Sequence, residues 1–316
     1  LIRPFPARAL IPAVASAMMT VTAAGAGVPA TAAPPPASWT QYKFSADHAG
    51  ENSLETTIGP GNVAKLRPFW TVVPGAGGGG LGGGFVTSPV VDGALGVVYA
   101  NSQDGYLYAL DAATGATLWT GYTGGYADSA PVLASGLVIV GSIVGVLAFP
   151  QGCSTPCAPI WTADTGNTYN PSLVADAGVV YAGAYDGWLR AFDVATGSLL
   201  WSALVNNHDP VFFAPTVANG LVYVTGDYGL YAFPVNCSGI CVPLWNSKTD
   251  VAGNGSAAVV NGVAYLGIYD GTVLAIDAMS GVRLWSGKIS AGPSSPAVAN
   301  GKLYFGSGTG KFFVFN

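Results

Sequence analysis

Four cysteines are the residues in this chain most plainly able to do chemistry. They come as two CxxxC pairs, Cys153 with Cys157 in "CSTPC" and Cys237 with Cys241 in "CSGIC". Four thiolates are a ligand set for zinc, and paired thiols close disulfides. A second set is spread over the stretches "GGYADSAP", "TGNTYNP", "NNHDPVFFAP" and "VAGNGSA": Tyr126, Asp128, Tyr169, Asn170, His208, Asp209 and Asn254. Aromatic and oxygen-bearing side chains of this kind, gathered on one concave surface, suit a sugar, a peptide or a small polar ligand. His208 is the member of that set that would titrate near neutral pH. The bland account of the same residues is turn chemistry, because Asn and Asp favour loops whatever the function. His48, the other histidine, has no partner pattern. No GxSxG, HExxH or EF-hand pattern occurs. The glycine-rich "PGAGGGGLGGGF", Pro74 to Phe85, lacks the GK[ST] of a phosphate loop and reads as a flexible loop. No catalytic residue is nominated.

What must position these residues is a repeat. Trp70, Trp119, Trp161, Trp201, Trp245 and Trp285 each end a similar unit, with spacings of 49, 42, 40, 44 and 40 residues. Such a period is the range of a four-stranded propeller blade. Each unit opens with a short apolar run, usually after a proline ("SPVVDG", "APVLASG", "NPSLVADAG", "APTVANG", "SAAVVNG", "SPAVANG"). An alternating strand such as "VVYANS" or "LVYVTG" follows. Asp-Gly turns at Asp104, Asp186 and Asp270 then lead into "YLYALD", "WLRAFD" and "TVLAID". Asp-Gly between alternating strands is a strong hairpin signal, so these aspartates read as structural. One blade cannot bury both its faces, and a ring of blades can.

The first Trp strand, "RPFWTV", has no unit before it, and the last unit, ending "KFFVFN", has no Trp strand. The expectation is an all-β propeller of four-stranded antiparallel blades. Six blades are favoured over seven or eight, and residues 67–73 supply the missing strand and close the ring. The two cysteine pairs fall at the same place in units two blades apart, so they cannot share one ion. Local bridges Cys153–Cys157 and Cys237–Cys241 are expected. The loops ahead of the innermost strands meet at the central mouth, which is where any ligand site belongs.

The repeats resemble the pyrroloquinoline quinone (PQQ) repeat, with its "LYALDAxTGxxLW" signature. That repeat is found in quinoprotein alcohol dehydrogenases and in outer-membrane assembly propellers. The resemblance covers about residues 38–316. The opening stretch also resembles the entry segment of the dehydrogenases, with Trp39, Asn62, Val63, Leu66 and Trp70 in matching positions. For the enzymes, the resemblance implies eight blades, a quinone and a calcium ion over the channel, a catalytic Asp, and a disulfide between adjacent cysteines. Here no two cysteines are adjacent, and eight blades would need about 340 residues against the 316 present. Neither the calcium ligands nor the catalytic Asp maps onto a residue of this chain.

Composition bounds the function further. Only 9% of the chain is charged, 45 of 316 residues are glycine, and the net charge is −5. With no Lys/Arg run, nucleic acid is excluded as a partner. The N-terminus carries Arg3 and Arg8, an uncharged stretch from Ala9 to Gly27, and "ATA" at Ala30 to Ala32. This is the pattern of a secretory signal over residues 1–32; an uncleaved membrane anchor is the alternative. Residues 33–37 form a Pro-rich linker, and residues 38–316 form the propeller. After cleavage no membrane insertion is expected, and the chain is placed outside the cell or in the periplasm. The expected function is a non-catalytic binding or scaffold module for a protein, a glycan or a small polar ligand at the central mouth, with no cofactor. The alternative is a dehydrogenase of an alcohol or sugar that uses PQQ with calcium.

Overall fold

The computed structural model describes residues 38–52, 56–75, 83–154, 156–166, 171–205, 211 and 213–316. The chain divides into two units, Leu1–Pro35 and Pro36–Asn316. The signal, its cleavage site and the linker assigned to residues 1–37 lie outside the described residues.

Among the described residues the second unit holds six sheets. Blade 1 is β1 (Val90–Asp92), β2 (Val97–Asn101), β3 (Tyr106–Asp111) and β4 (Thr117–Tyr122). Blade 2 is β5 (Val132–Ala134), β6 (Leu137–Ser142), β7 (Gly145–Pro150) and β8 (Trp161–Ala163). Blade 3 is β9 (Ser172–Asp176), β10 (Val179–Gly183), β11 (Trp188–Asp193) and β12 (Leu199–Leu204). Blade 4 is β13 (Thr216–Ala218), β14 (Leu221–Gly226), β15 (Gly229–Pro234) and, after a short β16 (Gly239–Ile240), β17 (Trp245–Asn246). Blade 5 is β18 (Ala258–Val260), β19 (Val263–Gly267), β20 (Thr272–Asp277) and β21 (Arg283–Lys288). Blade 6 is β22 (Ala297–Ala299), β23 (Lys302–Gly306) and β24 (Phe312–Phe315). Within each blade successive strands pair antiparallel, as the alternating pattern requires. This is the expected all-β propeller architecture.

The core is a series of seams. Five clusters of buried apolar residues lie between successive blades, from 1–2 through to 5–6. The recurrent tryptophans are the wedges. Trp161 lies on Gly197 and donates its indole N–H to Val194 O at 2.9 Å. Trp119 and Trp201, each 2% exposed, reach Gln151 O and Val235 O in the following blade, both at 3.2 Å. A Cβ added to Gly197 or Gly281 would lie 2.6 Å from the wedged indole. The glycine of the "TG" or "SG" turn is therefore dictated twice, by its positive φ and by the ring above it.

The repeat unit is a pair of blades. Blades 1, 3 and 5 share the Asp-Gly and "TG/SG" turns, whereas blades 2 and 4 carry the cysteine loops. Both expected bridges, Cys153–Cys157 and Cys237–Cys241, are formed. Each loop reaches back onto the preceding blade: Cys157 N–H donates to Thr120 O at 3.0 Å, and β16 pairs parallel with β12. The loops thus cap outer edges and tie blade 2 to blade 1 and blade 4 to blade 3. Replacing Cys237 and Cys241 together by Ser should cost about 2 kcal/mol, the loop-closure entropy of so short a ring. A urea midpoint equal to the parent's would show that the bridge does not hold the loop.

Blade 6 departs from expectation. Its sheet has three strands among the described residues, and residues 67–73 form no ladder with β24. Trp70 instead docks on blade 1, donating to Ala112 O at 2.9 Å and lying over Gly115. Trp161 and Trp245 pack on their following blades in the same way. "RPFW" at residues 67–70 thus takes the wedge position of "APIW" and "VPLW" but not their strand pairing. The physical difference is anchorage. Those two segments start from a disulfide loop, whereas residues 67–70 follow an exposed 3-10 turn, Val63–Lys65, with no such pin.

Candidate functional site

A propeller leaves the inner edge of every blade unpaired, facing the channel. In this chain those edges are filled by its own N-terminal segment. Val91 N–H donates to Trp39 O (2.8 Å), Leu133 N–H to Thr40 O (2.7 Å) and Ala175 N–H to Gln41 Oε1 (3.1 Å). Val217 N–H donates to Ala46 O (2.8 Å), Val259 N–H to Asp47 O (2.9 Å) and Val298 N–H to Ala49 O (3.0 Å). Residues 39–49 therefore visit blades 1 to 6 in chain order, with a reciprocal pair of hydrogen bonds between Trp39 and Val91 of the first inner strand and one to each of the other five.

The segment bends sharply to do so. Lys43, Phe44 and His48 sit at φ 55°, 78° and 54°, a region that non-glycine residues seldom occupy. Ser45 Oγ donates to Asp47 Oδ1 at 2.6 Å and fixes the second bend. Lys43 donates to Pro296 O, and burial draws its amine down to about 7. His48 is fully buried, with Tyr42 edge-on at 5.4 Å. Its Nδ1 lies 3.0 Å from Thr216 Oγ1, which gives its own hydrogen to Ala257 O at 2.8 Å. Nδ1 must then be the donor, so Nε2 is an unprotonated acceptor, and it has no partner among the described residues. Burial first, then the Lys43 charge, push the imidazole down to about 3.

Beside this belt opens a cup of about 260 Å³ that draws on all six blades. Tyr42 of the belt contributes to it, and its wall includes the serines Ser88, Ser129, Ser172, Ser256 and Ser295, together with Asp128. Thr87 Oγ1, also on the wall, is buried without a hydrogen-bond partner among the described residues. The wall serines lie at the start of an inner strand or within three residues ahead of it, Ser88 and Ser295 directly before a proline, a position the sequence could have flagged.

Of the residues singled out from sequence, Asp128 lines this cup. Asn254 is used structurally: its amide donates to Pro293 O at 2.7 Å and bridges blades 5 and 6. Tyr126 accepts a hydrogen bond from Gln103 of blade 1. Tyr169, Asn170, His208 and Asp209 lie outside the described residues. Asp104, Asp186 and Asp270 each accept the N–H two residues on, at 2.8–3.1 Å, and so are turn-formers. Among the described residues no three His, Cys, Asp or Glu side chains cluster as a metal site, and no helix is long and apolar enough to cross a membrane.

A ring of four-stranded, Trp-wedged repeats defines a PQQ-like repeat propeller. A family model described as outer membrane protein assembly factor BamB matches residues 61–152 and 157–316, and the chain belongs to that family. It is 28% identical over 274 residues to an outer membrane protein assembly factor BamB from Moranella endobia (strain PCIT), covering 77% of this chain and 67% of that protein. It is 26% identical to the BamB of Yersinia pestis, covering 67% of this chain and 57% of that protein. A quinohemoprotein alcohol dehydrogenase, ADH-IIG of Pseudomonas putida, is 31% identical over 133 residues, covering 37% of this chain and 18% of that enzyme. Among solved structures, the computationally designed Ika8 protein superposes with a TM-score of 0.61 at 18% identity, over 70% of this chain and 68% of that one.

Proposed function

We propose that this chain is a non-catalytic, exported propeller that holds a partner polypeptide at its mouth, in the manner of an assembly factor of the cell envelope. The observation that carries this reading is the belt. With residues 39–49 hydrogen-bonded to every inner strand, what opens beside them is a cup walled by hydroxyls interspersed with apolar side chains such as Leu173 and Phe213. Such a mixed wall suits the backbone and small side chains of a polypeptide. The names of the relatives at 28% and 26% identity point the same way.

The dehydrogenase alternative needs a wall for a quinone with three carboxylates and a calcium ion. The described wall offers the single carboxylate of Asp128 and no lysine or arginine. That set does not fit the cofactor.

The test is photocrosslinking in the cell envelope. A crosslinker replacing Ser88 or Asp128 should capture one defined polypeptide. The same group at Thr114 or Thr196, in turns at the opposite end of blades 1 and 3, should not. Equal capture from both ends would overturn the reading. So would a quinone absorbance spectrum with dye-linked alcohol oxidation after incubation with PQQ and calcium.

A further inference from the structure

The blade-pair repeat puts three equivalent grooves between an outer Trp strand and the blade that follows it, and the third of them holds an open cavity. In each, the third strand offers a residue four positions after the Asp of the Asp-Gly turn: Tyr108 after Asp104, Arg190 after Asp186 and Leu274 after Asp270. The first two hold that aspartate. Tyr108 Oη donates to Asp104 Oδ2 at 2.5 Å, and the backbone N–H of Gly75 donates to Tyr108 Oη at 3.0 Å. Arg190 grips Asp186 with both ends of its guanidinium, at 3.1 and 2.5 Å, beside Gly166. Leu274 cannot, and between blades 4 and 5 a groove of about 420 Å³ stands open.

The chemistry of the vacant groove is altered in a matching sense. Five residues after the wedge Trp, the first two grooves present Gly75 and Gly166, whereas the third presents Asp250. Asp250 and Asp270 both line the space, over an apolar floor that includes Leu274 and Ile276. Thr272 N–H holds Asp270 Oδ1 at 2.8 Å, which fixes the carboxylate. Lys288 takes Oδ2 at 2.8 Å and also donates to Thr272 Oγ1 at 3.1 Å, but the pair is 60% and 42% exposed, a class of ion pair that contributes little. Lys248 and Arg283 also line the groove, so its overall charge does not choose the ligand. The choice comes from the two carboxylates that line one cavity, and from the side chain that holds the equivalent aspartate in blade 3.

We infer that the groove between blades 4 and 5 is a binding site for a guanidinium, taking the arginine side chain of a partner polypeptide in the place that Arg190 occupies in blade 3. A planar fork meets a carboxylate through two parallel hydrogen bonds, which an ammonium cannot do. This site is separate from the mouth, and its test does not depend on the function proposed there.

The probes are acetyl-Gly-Arg-Gly-amide, its lysine counterpart and agmatine, titrated against protein labelled at the Leu and Ile methyls. The arginine peptide should shift Leu274 and Ile276 with an affinity at least tenfold above the lysine peptide. Asp250→Asn and Asp270→Asn should each weaken it tenfold or more. Lys288→Gln should strengthen it several-fold by freeing Oδ2. Leu274→Arg should fill the groove from within and abolish binding. If agmatine binds as tightly as the peptide, the guanidinium site stands but its natural ligand is a small molecule. Equal binding of the arginine and lysine peptides overturns the inference. So does retained binding in Asp250→Asn, a surface change that leaves the fold intact.

Discussion

A chain that starts at residue 51 should fail to form a stable ring. It loses the carbonyls of Trp39, Thr40, Ala46, Asp47 and Ala49 and the Gln41 amide oxygen, the six groups that serve the inner strands. At about 1 kcal/mol net for each hydrogen bond, the loss is about 6 kcal/mol before any lost packing of Tyr42 and His48. Whole domains are stable by only about 5–15 kcal/mol. The expected result is a product that aggregates or melts without cooperativity. A synthetic peptide of residues 38–50 added during refolding should recover part of the cooperative transition. A truncated chain with the parent's melting temperature would show that the belt is dispensable.

Acid should loosen the protein well before its carboxylates titrate, and His48 should be the cause. The unfolded chain takes up a proton near pH 6.5, while burial in the channel holds the folded imidazole down to about 3. Stability is then complete above pH 6.5 and is lost as pH falls toward 3, at about 1.4 kcal/mol per pH unit. At pH 4.5 the deficit is about 2–3 kcal/mol. Lys43 acts in a different window: its amine is lowered from 10.5 to about 7, so its contribution falls between those values and is level below. The aspartates held below their ordinary range, Asp111, Asp193 and Asp277 among them, act only in stronger acid. Urea titrations between pH 4.5 and 7 should therefore show a slope that His48→Gln flattens. An unchanged slope in that variant would place the acid sensitivity elsewhere.

Most of the ring could be read from the residues because blade grammar is local. Asp-Gly turns, period-two strands and a wedge Trp every forty-odd residues are each short-range signals, and all recur. The cystine loops were legible for the same reason, since their equivalence followed from the repeat. The belt was not legible, because residues 39–49 have no copy elsewhere to be compared with. Their conformation rests on left-handed Lys43, Phe44 and His48, which no local preference announces. His48 therefore looked featureless in the sequence and proves to be the most buried titratable group in the channel. Asn254 was placed in the right loop, but its amide is spent on Pro293 of the next blade. Loop position alone did not separate such a strut from Asp128, which faces the cup. The ladder expected of residues 67–73 failed for a comparable reason: "RPFW" carries the wedge signal, but pairing needs a fixed starting point that lies outside the motif.

The belt also works as a gauge. Its acceptors are three in a row, at residues 39, 40 and 41, then 46, 47 and 49, and each meets one inner strand once. A ring with one blade more would leave an inner strand with no acceptor, and one blade fewer would strand an acceptor against apolar side chains. Ring size and the belt of residues 39–49 are therefore a matched set. Duplicating or deleting a blade in this scaffold, however well the new seam is packed, demands a new stretch of about two residues in the channel for every blade changed.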